Sequence, residues 1–258
     1  MIITPGYTFD LPLLRAVSDW QRGDENRERG GLLGQALKAA CVNLPPQFRT
    51  CTDPCYRRIK LDEPGLWRLL AENELGEKIS SWTIDLEVAQ GMKDGIPDEG
   101  NPEKMRATIF QISPPPGSVI VNLAALYADE QFCTTMQRRA SEIPSFNDGA
   151  GSYWEIEQEV VLEINTVEQA NIYSMGGESS DFDTLVQKVA FLAFGLDMTT
   201  AQYDEFRTRA ESVRHKAGKK WLSPDAFQRV LARVQTHIPR LREKKRAQDA
   251  VKATRRRD

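Results

Sequence analysis

Six short runs rich in β-branched and aromatic residues, with little helical pattern between them, constrain this chain most. They are CYRRIKL (55–61), KISSWTI (78–84), ATIFQIS (107–113), SVIVNL (118–123), EVVLEI (159–164) and ANIYSM (170–175). Runs of this length, bounded by Gly, Pro, Asn and Asp, read as strands. A parallel sheet needs a long crossover, usually a helix, between its strands. Here only EPGLWRLLAENEL, opened at Pro64, and DLEVAQGM, with Asp85 near its start, read as helices between strands. The stronger helical patterns lie at the ends: LPLLRAVSDWQR and GGLLGQALKAACVNL before the strands, TLVQKVAFLAFGL after them. The order is helices, strands, helices, which predicts an α+β fold rather than repeated βαβ units.

The turn-rich GGESSD (176–181) predicts a boundary. The expected division is a domain over 1–180 with a helical N-terminal part, and a helical extension over 181–258. In that extension, Ser223-Pro224-Asp225 reads as a cap and a first-turn proline. Phe227, Val230, Leu231, Val234 and Ile238 follow at helical spacing. The charged end, REKKRAQDAVKATRRRD, reads as frayed.

The formal charge of -3 hides an asymmetry. From Ala201 onward there are 17 Lys/Arg against 7 Asp/Glu, a balance of +10 that leaves -13 for the remainder. An acidic body with a basic appendage points to nucleic acid as a partner, or to a solvated helical tail. The start MIITPGYTFDLPLL lacks a basic, apolar leader, and no run approaches a membrane span. Cys41, Cys51, Cys55 and Cys133 form no disulfide framework or CxxC pair. The expectation is a cytoplasmic protein with reduced thiols and no membrane contact. His215 and His237 are the only histidines, both in the basic part. That argues against a metal site and against histidine-based nucleophilic catalysis. Neither a Walker loop nor HExxH is present.

Three polar features interrupt the strand patterns. In CYRRIKL, Arg57 shares a face with Cys55 and Ile59, whereas Tyr56, Arg58 and Lys60 make the other face cationic. Arg57 is therefore the candidate for an inward role, and its planar fork suits phosphate. In SSWT, Ser81 and Thr83 share a face, and paired hydroxyls can orient a carboxylate. In SYWEIEQEVVLEI, Glu155, Glu157 and Glu159 sit two apart, and like charges on one strand face repel. Either that face is solvated, with Val160, Leu162 and Ile164 as core, or the carboxylates work on a cationic substrate. The preceding loop, PSFNDGAGSYW, carries Tyr153 and Trp154 as candidate recognition residues.

Taken in order, YRR (56–58), SSWTIDLEVAQGM (80–92) and EQEVVL (157–162) resemble the mono-ADP-ribosyltransferases of the arginine, serine, glutamate-x-glutamate class. PPGSVIVNL (115–123) is similar to the segment between that family's second and third motifs. The resemblance covers about residues 50 to 175. It departs from the family pattern at Arg58, where Gly is common, and so leaves Arg57 and Arg58 both open as the motif arginine.

The resemblance implies a split β-sandwich core that takes NAD+ as co-substrate, without metal. Nicotinamide leaves, the ribose becomes oxocarbenium-like, and ADP-ribose passes to an acceptor. It implies that Glu159 stabilises the cation, Ser81 orients Glu159 with Thr83 close by, and Arg57 holds the phosphates. Trp82 would flank the nicotinamide pocket and Glu157 would serve the acceptor. The acceptor is a protein arginine or a nucleic acid, RNA or DNA. The family further implies a toxin-like effector, either held by a neutralising antitoxin-like protein or aimed at a phage or host factor. The alternatives are an NAD+ glycohydrolase and a catalytically inactive binding protein of the same fold.

Overall fold

The computed structural model describes residues 7–23, 27–91, 106–153, 158–176, 199–216 and 221–254, with Asp183, Val186, Gln187 and Ala190 between them. The fold is mixed α and β. Its main sheet has six mostly antiparallel strands in the order β5-β6-β3-β1-β4-β8. These are β1 (Cys55–Leu61), β3 (Ile79–Thr83), β4 (Arg106–Ile112), β5 (Val119–Asn122), β6 (Glu159–Glu163) and β8 (Ile172–Gly176). A separate ribbon pairs β2 (Leu75–Gly76) with β7 (Thr166–Val167). The expected strand runs all lie on these strands of the main sheet, and β1 matches CYRRIKL residue for residue.

The chain divides into two compact units. One comprises 1–59, 72–101 and 109–171; the other comprises 60–71, 102–108 and 172–258.

In the first unit, Asp10 caps α1 (Leu11–Arg22) by accepting from Leu13 N at 3.0 Å, and Pro12 fits the donor-poor first turn. Gly23, at φ 68, ends the helix in a conformation that favours glycine. The inner face of α1 buries Leu13, Leu14 and Val17 in a cluster with Leu37 of α2 (Arg27–Ala40), Val121 of β5 and Val161 of β6. Leu123 and Leu126 of α5 (Leu123–Tyr127) and Phe132 and Met136 of α6 (Glu130–Arg138) complete it. Both of these helices escaped the strand-dominated sequence reading. Each has a local start signal, since Asn122 accepts from Ala125 N at 3.0 Å and Asp129 from Phe132 N at 2.9 Å. α3 (Glu63–Trp67), which belongs to the second unit, runs into a π-helical turn at Arg68–Glu72. α4 (Leu86–Gly91) and α7 (Ala150–Tyr153) are single turns or little more.

The helical cover changes one expectation. Glu159, Val160, Val161 and Leu162 are all buried, so neither face of β6 there is solvated. The strand alternation is right for a one-sided sheet, but α1 occupies the side that alternation leaves to water.

In the second unit, Ser174 of β8 donates to Leu222 O at 2.6 Å, and Leu222 N donates to Met175 O at 3.1 Å. α8 (Thr200–Ala210) opens with a capping box between Thr199 and Gln202. Ser223 caps α9 (Pro224–Gln235) as the sequence predicts, and Phe227 is its buried anchor. The charged end is not frayed through its length: Ile238–Thr254 forms α10. Its Arg, Lys, Glu, Gln and Ala are good helix formers, and charge alone does not remove that propensity. Lys245 lies 4.5 Å from the centre of the Trp67 ring. Most of TLVQKVAFLAFGL lies outside the described residues.

Cys41, Cys51, Cys55 and Cys133 are unbridged. Among the described residues no helix is long and apolar enough to cross a membrane.

Gly149 is the tightest backbone approach, because a Cβ there would collide with the Ser18 carbonyl oxygen of α1. Backbone atoms cannot swing aside as a side chain can. Gly149→Ala is expected to lower unfolding free energy by about 2 kcal/mol or more in urea titrations, within or above the usual range for overpacking.

Candidate active site

The site is built around one antiparallel pair. β3 and β6 run side by side with Ser81 opposite Val161 and Thr83 opposite Glu159. Residues directly opposite share a face, and diagonal neighbours two positions away are within side-chain reach. The Ser81 hydroxyl crosses that diagonal and donates to Glu159 Oε1. The register therefore explains why a serine two residues before Thr83 meets this glutamate.

α1 reaches the same carboxylate from above the sheet. Trp20 Nε1 donates to Glu159 Oε1 at 2.7 Å. The Gln21 side chain also acts on Glu159, favouring its ionised form. The Gln21 carbonyl oxygen accepts from the Tyr127 hydroxyl of α5 at 2.5 Å, which leaves the amide nitrogen to face the carboxylate. Glu159 is 5 % exposed. Burial pushes its carboxyl above the usual carboxylate range, opposed by the hydrogen bonds from Ser81, Trp20 and Gln21 and by the Arg57 charge. Tyr127 is pushed up as well, first by burial and then by the Glu159 charge.

Arg57 stands beside this group. Its Nη1 donates to Ser81 O at 2.7 Å, and its Nε lies 3.4 Å from Glu77 Oε2. The guanidinium is thus anchored on the backbone of the residue that holds Glu159. Glu77 is a partner that sequence reading missed. Its signal is weak, a single acidic residue in the polar stretch before β3.

Gln158, immediately before Glu159, has φ 44. A left-handed backbone at a non-glycine residue is strained, and strain of this kind gathers at functional positions. Gln158 O still accepts from Ile84 N at 3.1 Å, so the ladder continues past the distortion.

The remaining expected residues divide. Thr83 lies on the Glu159 face, but its hydroxyl accepts from Asp85 N at 3.1 Å and starts the turn into α4. Trp82 is on the other face, 2 % exposed, with its indole N–H donating to Ser80 Oγ at 3.0 Å. It is not brought to Ser81 and Glu159, because strand alternation turns it away from both of them. Tyr153 ends α7 and is half-buried. Glu155, Glu157 and Trp154 lie outside the described residues. Glu163, expected as solvated surface, is half-buried and paired with Lys38 Nζ at 2.6 Å. Among the described residues, no three His, Cys, Asp or Glu side chains gather as metal ligands.

Trp20, Gln21 and Tyr127 are the site residues that the sequence hid. They sit on helices remote from the strand motifs, and a tryptophan on an apolar helix face reads as core.

The chemical capacity is that of a buried carboxylate held by neutral donors next to an arginine. Its pKa has a consequence for stability. A carboxyl raised in the folded state binds its proton more tightly there than in the unfolded chain. Its contribution is therefore fully present below the ordinary glutamate range and is lost as pH rises through the raised folded pKa. Between those limits the wild-type protein should lose stability relative to Glu159→Gln, with a slope of at most about 1.4 kcal/mol per pH unit. Parallel urea titrations of both proteins from pH 4 to 8 measure this. Equal slopes would mean that Glu159 is not raised.

Compared with protein-family models, curated proteins and solved structures, the chain matches none of them.

Proposed function

We propose that this protein is an NAD+-dependent mono-ADP-ribosyltransferase. The observation that carries the reading is the convergence of the three motif residues. Ser81 donates to Glu159, and Arg57 donates to the carbonyl of Ser81. Residues 24 and 102 positions from Arg57 in sequence meet in one cluster, in the relation that the motif resemblance expects.

In this reading the bond between nicotinamide and the ribose C1′ breaks, and its electron pair leaves with neutral nicotinamide. Positive charge develops on the ribose. Glu159, ionised, lies beside it in a site from which water is largely excluded, where a fixed carboxylate is worth more than in water. Ser81 keeps the carboxylate oriented. Arg57 meets the diphosphate, which competes with Glu77 for the guanidinium. A nucleophilic atom of the acceptor then attacks C1′, and its proton passes to Glu157 or to water.

The acceptor is macromolecular. α10 presents exposed Arg240, Arg242, Lys244 and Arg246 along its length, which supports a phosphate-bearing acceptor such as RNA or DNA. Glu157, by its motif position, supports a protein arginine instead. A transferase of this kind working inside a cell is a toxin-like effector, with a neutralising antitoxin-like protein as its partner.

One observation favours a second reading. Glu159 is nearly closed off from solvent, as a purely structural carboxylate would be. In that case the protein is a binding protein with the same arrangement and no turnover.

Labelled NAD+ added to purified protein and cell lysate separates these readings. The transferase releases nicotinamide and transfers label to material sensitive to nuclease or to protease. Free ADP-ribose alone identifies a glycohydrolase, and no nicotinamide release identifies the binding protein. Glu159→Gln is expected to lower release by about a thousandfold or more, with its circular dichroism unchanged. Arg57→Lys, which keeps charge but loses the fork, is expected to raise KM for NAD+ by about tenfold.

A further inference from the structure

Helix α1 lies outside the stretch that carries the motif resemblance, yet three of its residues touch the site or the turn that leads to it. We propose that α1 is a positioning element of the active site. Trp20 and Gln21 hold the Glu159 carboxylate, and Ser18 holds the Ser145–Ala150 turn on the approach to β6. This inference rests on the transferase reading for its catalytic consequence.

The geometry is specific. Trp20 donates to Glu159 Oε1 at 2.7 Å, the same oxygen that accepts from Ser81. The Gln21 carbonyl oxygen accepts from the Tyr127 hydroxyl at 2.5 Å, a part-buried bond that its amide must break to rotate away. The Ser18 hydroxyl accepts from Ser145 Oγ at 3.0 Å and from Ala150 N at 3.3 Å. Gly149 lies directly against Ser18, and only glycine leaves room for that approach. Ser18 and Gln21 are one helical turn apart, as are Val17 and Trp20. Val17, Leu13 and Leu14 lock the helix into the core. One rigid body therefore sets both the carboxylate and the turn that leads into α7, which ends at Tyr153.

Two donors backed by Tyr127, with a separate tie to the loop, give the helix leverage on how Glu159 is placed and when it ionises. The charged and titratable groups that act on Glu159 are Arg57, which is paired with Glu77, and Tyr127. Trp20, Gln21 and Ser81 carry no charge. Each of these donors favours the carboxylate over the carboxylic acid.

The test uses the full-length chain. The indole N–H resonance of Trp20, identified by its absence in Trp20→Phe, should shift with the ionisation of Glu159. That shift should vanish in Glu159→Gln. In the pH profile of kcat/KM for nicotinamide release, the acidic limb should move up by about half to one pH unit in Trp20→Phe, the loss of one donor. Gln21→Leu removes the amide while keeping a side chain of similar size, and should move the limb the same way. It serves also if Trp20→Phe does not fold. An indole resonance that ignores the Glu159 titration overturns the proposal, whether or not the protein turns over NAD+. Limbs that stay in place in the folded variants, with only the melting temperature lowered, overturn it too and leave α1 as scaffold. Absence of nicotinamide release from the wild type overturns the transferase reading instead, and the indole titration still judges the contact.

Discussion

A carboxylate taken out of water is the constraint on which this structure turns. Glu159 is buried under α1 on a strand whose neighbours are valines and leucine. Burying a charge costs free energy unless it is paired or well hydrogen-bonded, and the cost appears here as a raised pKa. Ser81, Trp20 and Gln21 answer it with hydrogen bonds, and Arg57 answers it with charge at longer range. Four segments of the chain, α1, β1, β3 and β6, must be in place for that answer. The fold and the site are thus one requirement, since the sheet register brings Ser81 and the helical layer brings Trp20.

The strand set was legible because strand patterns are local. The runs at CYRRIKL, SSWT and EVVLEI carry their own composition and turn boundaries. The helices between β5 and β6 were less legible. LAALY and EQFCTTMQR are short, and their start signals are single Asn and Asp residues amid strand patterns. The alternation in EVVLEI leaves Glu159 either on a solvated face or at work on a cationic substrate, and its burial removes the solvated alternative. Whether a strand face meets water depends on what packs over it, which is tertiary information. The same limit applies to the site. Ser81, Arg57 and Glu159 could be named from motif order. Trp20, Gln21 and Tyr127 could not, because nothing local distinguishes a tryptophan that donates to a buried carboxylate from one that fills a core. Trp82 shows the converse: an aromatic inside a motif is turned by the pleat to the far face, where it donates to Ser80.

Arg57 is held rather than free. Its bond to Ser81 O ties it to β3, and Glu77 offers it a carboxylate. A guanidinium already aimed and partly desolvated loses less entropy on meeting a diphosphate than a solvated one. The cost is competition from Glu77, which sets a floor on how strongly any phosphate ligand must bind. In the transferase reading proposed above, exchange of the internal carboxylate for an external phosphate is how the pair would favour charged ligands over neutral ones.

The most direct measurement is the 13C carboxyl titration of Glu159 in protein labelled at glutamate Cδ, with the signal assigned by its loss in Glu159→Gln, recorded with and without NAD+. The account predicts one carboxyl titrating above the ordinary glutamate range, and a displaced titration when NAD+ is present. A Glu159 signal that titrates in the ordinary range, or that NAD+ leaves untouched at saturating concentration, would contradict it.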